Sequence, residues 1–354
     1  MERKRVVYFD VLNVLACLSV IGMHCNGLVH NFSDTAAWRQ ALAVDVLAYW
    51  AVPIFIMISG ATMMNYRERY STGTFMKRRF MKVGIPLVIW SAVFYGWKLF
   101  RGSMTWNGWL DFINVLVNFQ IEPVYWFFAP LFMVYLSLPV LSRLAEYRST
   151  LRYMLIVGFL TCSVLPFVMK LLGVSYWDNF ALPVTGGYVI LVLLGYLLST
   201  SELLPWQRAV VYVLGVIGAA TRYFYTVYAT VRDGALNKLT WEYINWPSIL
   251  LAVAIFVLVK YTCRRKPFQN EKFIRLVKWL SGASFGIYYG ASCQPAGGEY
   301  GQWLVASACG SGGVPHRSDH CQAAAKDPLC GKVPVPMSLC GKGRIIKIWS
   351  VNIP

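Results

Sequence analysis

His24 stands near one end of an apolar run of helix length, Val6–Gly27, and Asp10 and Asn13 fall on the same helical face. At about 100° per residue, the step from Asn13 to His24 completes three turns with roughly 20° to spare. Asp10 lies about 40° from His24, on the side away from Asn13. The run is long enough to cross a bilayer. Polar and ionisable groups in such a helix are costly against lipid, so a shared stripe marks a functional site by default. His24 is the candidate for chemistry, because an imidazole titrates near neutral pH and can serve as general base or nucleophile. Asn13 and His24 are about 16.5 Å apart along the axis, too far to bond each other. One face therefore offers two stations. On the residues alone, an interfacial His24 bonded to a neighbouring helix is the plainer reading.

The element that must position this stripe is a membrane bundle. The chain has 354 residues, of which 57% are hydrophobic, 16% aromatic and 14% charged, with mean hydropathy +0.50. A soluble chain would carry about a quarter charged residues. The net charge of +17 sits in short clusters between apolar runs, which is the pattern of membrane topology and not of nucleic-acid binding. Runs of spanning or near-spanning length occur at Val6–Gly27, Val46–Met64, Val83–Trp97 and Tyr125–Leu144. Others follow at Tyr153–Met169, Leu182–Leu198, Ala209–Tyr228 and Pro247–Cys263, and a ninth begins at Val277. The expected fold class is all-α: a polytopic transmembrane helix bundle of eight full spans and a truncated ninth. Trp90, Trp97, Trp126, Trp177, Trp246 and Trp279 fall near run ends, as interfacial anchors do.

With the N-terminus inside, inner segments hold twenty Lys and Arg residues against seven in outer segments. That bias predicts a cytoplasmic N-terminus. His24 is then expected toward the outer leaflet, with Asp10 and Asn13 at the inner end. The first run carries Asp10 and Asn13 and lacks a small-x-small cleavage site, so it is expected to remain as a helix. The predicted location is the cell (cytoplasmic) membrane, with multiple passes.

A break falls after Tyr289, where the run from Val277 has lasted only 13 residues, about 20 Å of helix against the roughly 30 Å a span needs. Residues 290–354 hold five of the nine cysteines, ten of the 28 glycines and only three aromatics. They are expected to form a separate, disordered Cys/Gly-rich tail, from a different reading frame or a fusion. Cys293, Cys309, Cys321, Cys330 and Cys340 with His316 and His320 contain no CxxC pair, so no metal site is predicted.

The stretch YFDVLNVLACLSVIGMH ending at His24 resembles the first helix of the membrane acyltransferase 3 family. In that family an intramembrane histidine follows a basic residue by eleven positions. FIMISG (Phe55–Gly60), FMKRRFMKVGIPLVIWS (Phe75–Ser91), VYWFFAPLFMVYLSLPVL (Val124–Leu141) and LSGASFGIYY (Leu280–Tyr289) resemble later family segments, in order, over about residues 1–289. Two departures stand out. Asn13 occupies the position of the family's usual arginine, and the late helix does not continue to the histidine and tenth span of relatives.

The resemblance implies transfer of an acyl group, often acetyl, from cytoplasmic acyl-CoA to a hydroxyl of an extracytoplasmic glycan or lipid-linked sugar. Acyl-CoA would be a donor substrate, with no bound cofactor. His24 would be catalytic, as base or as acyl carrier. Asp10 and Asn13 would position the donor or sit solvated at the inner interface. Arg78, Arg79 and Lys82, beside Lys77, would hold its phosphates, although positive-inside topology alone also places basic residues there. Glu122, Tyr125 and Trp126 precede or open the fourth run and would face the acceptor, with a solvated loop position the plainer reading of Glu122. Arg222 is the remaining acceptor-side candidate, and its plainer reading is snorkelling to the interface. The segment Trp106–Gln120 reads as an interfacial amphipathic stretch. A secondary transporter or flippase for a glycan or lipid is the competing class, since polar stripes and an intramembrane arginine suit it equally. A third reading is an inactive remnant.

Overall fold

The stripe's own helix, α1, runs Val7–Cys25, and it belongs to a computed structural model that describes residues 6–174 and 186–290, with side chains as far as Ser284. Among the described residues every regular element is helical. Readings that concern the N-terminal arginines, Trp177 and the tail beyond Gly290 lie outside the described residues. A short 3-10 turn at Gly27–His30 leads to α2, Ala36–Ala48, capped by the Thr35 side chain accepting from the Trp38 amide. After a turn at Tyr49 and Trp50 comes α3, Ala51–Met63. The run expected at Val46–Met64 is thus bent, and its helical territory begins ten residues earlier, at Ala36.

α4 (Thr72–Arg79) passes through a π turn at Phe80–Gly84 into α5 (Ile85–Phe100). A second π turn, Leu160–Val164, joins α8 (Arg148–Phe159) to α9 (Leu165–Leu171). Each π turn precedes a proline, Pro86 or Pro166. Proline has no amide hydrogen and its ring crowds the carbonyl four residues back, and at these two sites the helix widens to accommodate it. Between them lie α6 (Trp109–Val117), a 3-10 turn at Pro123–Phe127, and α7 (Phe128–Leu141). α6 leaves Trp109, Leu110, Ile113 and Val117 exposed on one side.

The remaining helices are α10 (Val189–Thr200), α11 (Pro205–Asp233), α12 (Trp246–Thr262) and α13 (Glu271–Gly290). α13 starts six residues before Val277, because Glu271, Lys272 and Arg275 form its polar first turns. Among the described residues, six helical segments have the length and apolar character to cross a membrane, and α10 and α12 are shorter apolar helices. Each of the eight full runs expected from the sequence is helical in at least part of its length.

α1 packs on α2, α3 and α13, while α3 lies along α10 and α11 along α12. α3 and α10 approach closely because both present glycine. A Cβ on Gly195 would run into the Met57 carbonyl, and one on Gly60 into that of Val192. Small residues of this kind let membrane helices pack where burial from water supplies no driving force. Leu12 and Ala16 of α1, Ile54 and Met57 of α3, and Ile190 to Leu193 of α10 are almost fully buried at the centre.

Candidate functional site

α1 connects two cavities of different chemistry. Its first turns place Phe9, Asp10 and Asn13 on the wall of a cavity of about 1010 Å³. Its last turns place Val20, Met23 and His24 on the wall of a second, about 200 Å³. The helical rise puts Asn13 and His24 about 16.5 Å apart along the axis, and the single stripe read from the sequence thus serves two chambers.

The larger cavity is basic. Arg69, Arg79, Lys82, Lys260 and Arg264 all line it, and among the described residues Asp10 is the only acidic one in its lining. Lys82 and Val83 come from the π turn at Phe80–Gly84, so the widened helix delivers a cation to the wall. Arg79 reaches the Met63 sulfur and stacks near Phe75 and Tyr135, and its Nε is buried without a hydrogen-bond partner among the described residues. Lys260 is buried and donates to the carbonyls of Leu198 and Ser201, fixing the end of α10 as a cation suits a helix C-terminus. Arg264 grips Glu202 with two bonds of 2.7 Å. Those bonds hold the Glu202 carboxyl well below the usual range, at about 2, with Lys260 and the Tyr261 hydroxyl adding to the effect.

Arg78, expected beside Arg79, instead lies over the Tyr70 ring at 4.7 Å and is outside the cavity lining. Asn13 lines the cavity but also donates to the Ser281 carbonyl (3.2 Å) and hydroxyl (3.1 Å). It clips α1 to α13. Basic residues that topology alone was expected to explain, Arg69, Lys260 and Arg264, join the site.

The smaller cavity contains His24, exposed in the last turn of α1, together with His30 and Asp45. Asp45 Oδ2 accepts from Arg222 Nη2 at 2.9 Å. Arg222 Nη1 also donates to the Thr240 carbonyl at 2.9 Å. The arginine is 1% exposed, so the expectation that it snorkels is corrected: its helix turns Arg222 toward α2, not toward lipid. Its guanidinium lies 3.3 Å from the Tyr49 ring centre. Tyr49 stacks on Tyr243 at 4.1 Å and 11°, and Tyr243 on Trp126 at 5.3 Å and 12°. The ion pair therefore anchors one end of a pile of parallel rings, and Trp126, at the other end, lines the histidine cavity.

The other acceptor-side candidates fall elsewhere. Glu122 is not a solvated loop residue: it is 7% exposed and pairs with Lys98 at 3.2 Å. Tyr125 is packed against Phe94 and Phe128, outside both linings. Asp45, Tyr49 and Tyr243 were not singled out from the sequence. A lone acid within the apolar helix α2, set against an arginine midway along α11, is the signal that could have found the pair.

Comparison with curated proteins and with solved structures gives no match. The model of the acyltransferase 3 family, described as an acyltransferase domain, matches residues 6–289. That interval takes in both cavities, the stripe of α1 and the ring pile, so the chain belongs to the acyltransferase 3 family of membrane acyltransferases.

Proposed function

We propose that the chain moves an acyl group, acetyl in the simplest case, from acyl-CoA in the basic cavity to a hydroxyl of a glycan or lipid-linked sugar at His24. The observation that carries this reading is the pair of cavities on one face of α1, one basic and large, the other small and holding an imidazole. Clustered Lys and Arg suit a polyanionic ligand such as the phosphates of CoA. Arg79, with its unsatisfied Nε, and Lys82 are the strongest contacts, and Arg69 adds charge that the family's missing arginine at position 13 does not supply. Positive-inside bias supports a cytoplasmic basic cavity and places His24 on the extracytoplasmic side of a cytoplasmic membrane.

In the transfer, the acyl C–S bond breaks and a C–O bond forms to the acceptor oxygen. His24 takes the hydroxyl proton, which returns to the CoA sulfur, or it carries the acyl group between the two. Aromatic rings give a flat apolar surface for the face of a sugar, and Trp126 supplies one beside His24. Acyl-CoA is consumed as substrate, and no other cofactor enters. The test is to supply labelled acetyl-CoA to the inner face of membranes bearing the full chain and follow label into carbohydrate. Label should appear only with the chain present. Glycan export without label would favour a transporter instead.

A further inference from the structure

Two residues line both cavities and touch each other. Phe55 and Phe127 belong to the walls of the basic and the histidine cavity alike, and their ring centres are 6.0 Å apart at 57°. Three segments agree on this partition. Along α3, Val52 faces the histidine cavity alone, Phe55 both, and Ser59 and Thr62 the basic cavity alone. Along the chain entering α7, Trp126 faces the histidine cavity alone, Phe127 both, and Leu131 and Tyr135 the basic cavity alone. α1 runs the opposite way, from Asn13 to His24. The two rings therefore stand where the chambers meet.

Resting on the acyl-transfer reading above, we propose that Phe55 and Phe127 form the passage by which the donor's acyl group reaches His24, and that their bulk sets the acyl chain length accepted. The polyanionic part of the donor has its counter-charges in the basic cavity, at Arg69, Arg79 and Lys82. The histidine cavity, about 200 Å³, has no room for a whole nucleotide thioester. Only the acyl end can advance, and it must do so between the rings. A passage walled by two phenyl groups admits a short apolar acyl group and holds water off the thioester. Without that barrier, water replaces the acceptor hydroxyl: the acyl C–S bond breaks, a C–O bond forms to water, and free carboxylic acid and CoA thiol leave. Phe55 and Phe127 are specificity-determining and positioning residues, with no part in proton transfer.

The test uses the full chain, purified, with acetyl-, butyryl- and hexanoyl-CoA, and reads CoA thiol release without acceptor together with binding of labelled CoA. A pocket typically discriminates by about tenfold or more for one methylene. Phe55→Ala should therefore raise hexanoyl-CoA turnover relative to acetyl-CoA by about tenfold or more, and should raise hydrolysis of acetyl-CoA. Phe55→Trp should do the reverse, slowing acetyl turnover with CoA binding unchanged. If Phe55→Ala does not fold, Phe55→Leu and Phe55→Trp decide by the direction of the same ratio. Folded variants that bind CoA and keep the wild-type chain-length profile would overturn the passage. A wild-type chain that neither binds CoA nor releases thiol would instead overturn the acyl-transfer reading beneath it.

Discussion

Arg222 and Asp45, 177 residues apart in sequence, meet at 2.9 Å and are both buried. Removing one partner of such a pair leaves a buried charge uncompensated, at a cost of about 3–5 kcal/mol. Asp45→Asn is therefore expected to lower the melting temperature in detergent sharply. Replacing both, as Asp45→Leu with Arg222→Met, should recover a good part of that loss, because no orphaned charge remains. Thermal melts of the two single variants and the double variant check this. Transfer should stay impaired in the double variant, since Tyr49 loses the cation that holds the ring pile.

Arg79 and its neighbour Arg78 separate a donor contact from a topological charge. Losing a hydrogen bond to a charged group costs roughly 1.5–3 kcal/mol, so Arg79→Gln should weaken acyl-CoA affinity by about tenfold or more. Arg78→Gln removes a cation that sits over Tyr70, outside the cavity lining, and should leave the affinity near the wild-type value. Titration of labelled acetyl-CoA against both variants distinguishes them. An Arg79→Gln affinity as close to wild type as that of Arg78→Gln would assign the pair to topology.

The reach of the sequence is clearest on α1. Its 3.6-residue period placed Asp10, Asn13 and His24 on one face, and the structure uses that face at both ends. The basic loop was legible as charge, but positive-inside topology predicts the same residues whether or not they bind anything. Arg69, Lys260 and Arg264 were therefore invisible as site residues. Asp45 and Arg222 lie on different helices, and no spacing rule links them. Arg222 looked like a snorkelling residue because periodicity cannot say which side of an apolar helix meets lipid. Phe55 and Phe127 fell inside family-like segments, but nothing singled out either ring in a chain that is 16% aromatic. The tight α3–α10 approach left a trace only as single glycines, Gly60 and Gly195, within apolar runs.

That approach predicts a local contrast in packing. Gly195→Ala drives a methyl group into the Met57 carbonyl, backbone that cannot swing aside, and overpacking of this kind costs about 1–3 kcal/mol or more. Gly22 in α1 has open space where its Cβ would sit, so Gly22→Ala should be neutral or slightly stabilising through its better helix propensity. Melting temperatures of the two purified variants should differ accordingly.

Glu202, in the loop between α10 and α11, sets a pH dependence. Its carboxyl is held down to about 2, chiefly by Arg264. A depressed carboxyl stabilises the fold fully above its unfolded value and loses that contribution as pH falls through the folded one. Stability should therefore be flat in this respect above about pH 5 and decline from there toward about pH 2. Glu202 is largely exposed, so solvent screening keeps the effect small. Melts between pH 3 and 7 should show a shallower acid slope for Glu202→Gln than for wild type.

The most direct measurement is acyl-CoA-dependent transfer to carbohydrate by His24→Ala, with binding of labelled acetyl-CoA recorded on the same preparation. A general base or acyl-carrying imidazole contributes about 10²–10⁴-fold, and His24 lies in a different chamber from the cations of the basic cavity. The predicted result is transfer reduced by about a hundredfold or more with donor affinity unchanged. Transfer at the wild-type rate in a folded, donor-binding His24→Ala chain would contradict the role of His24.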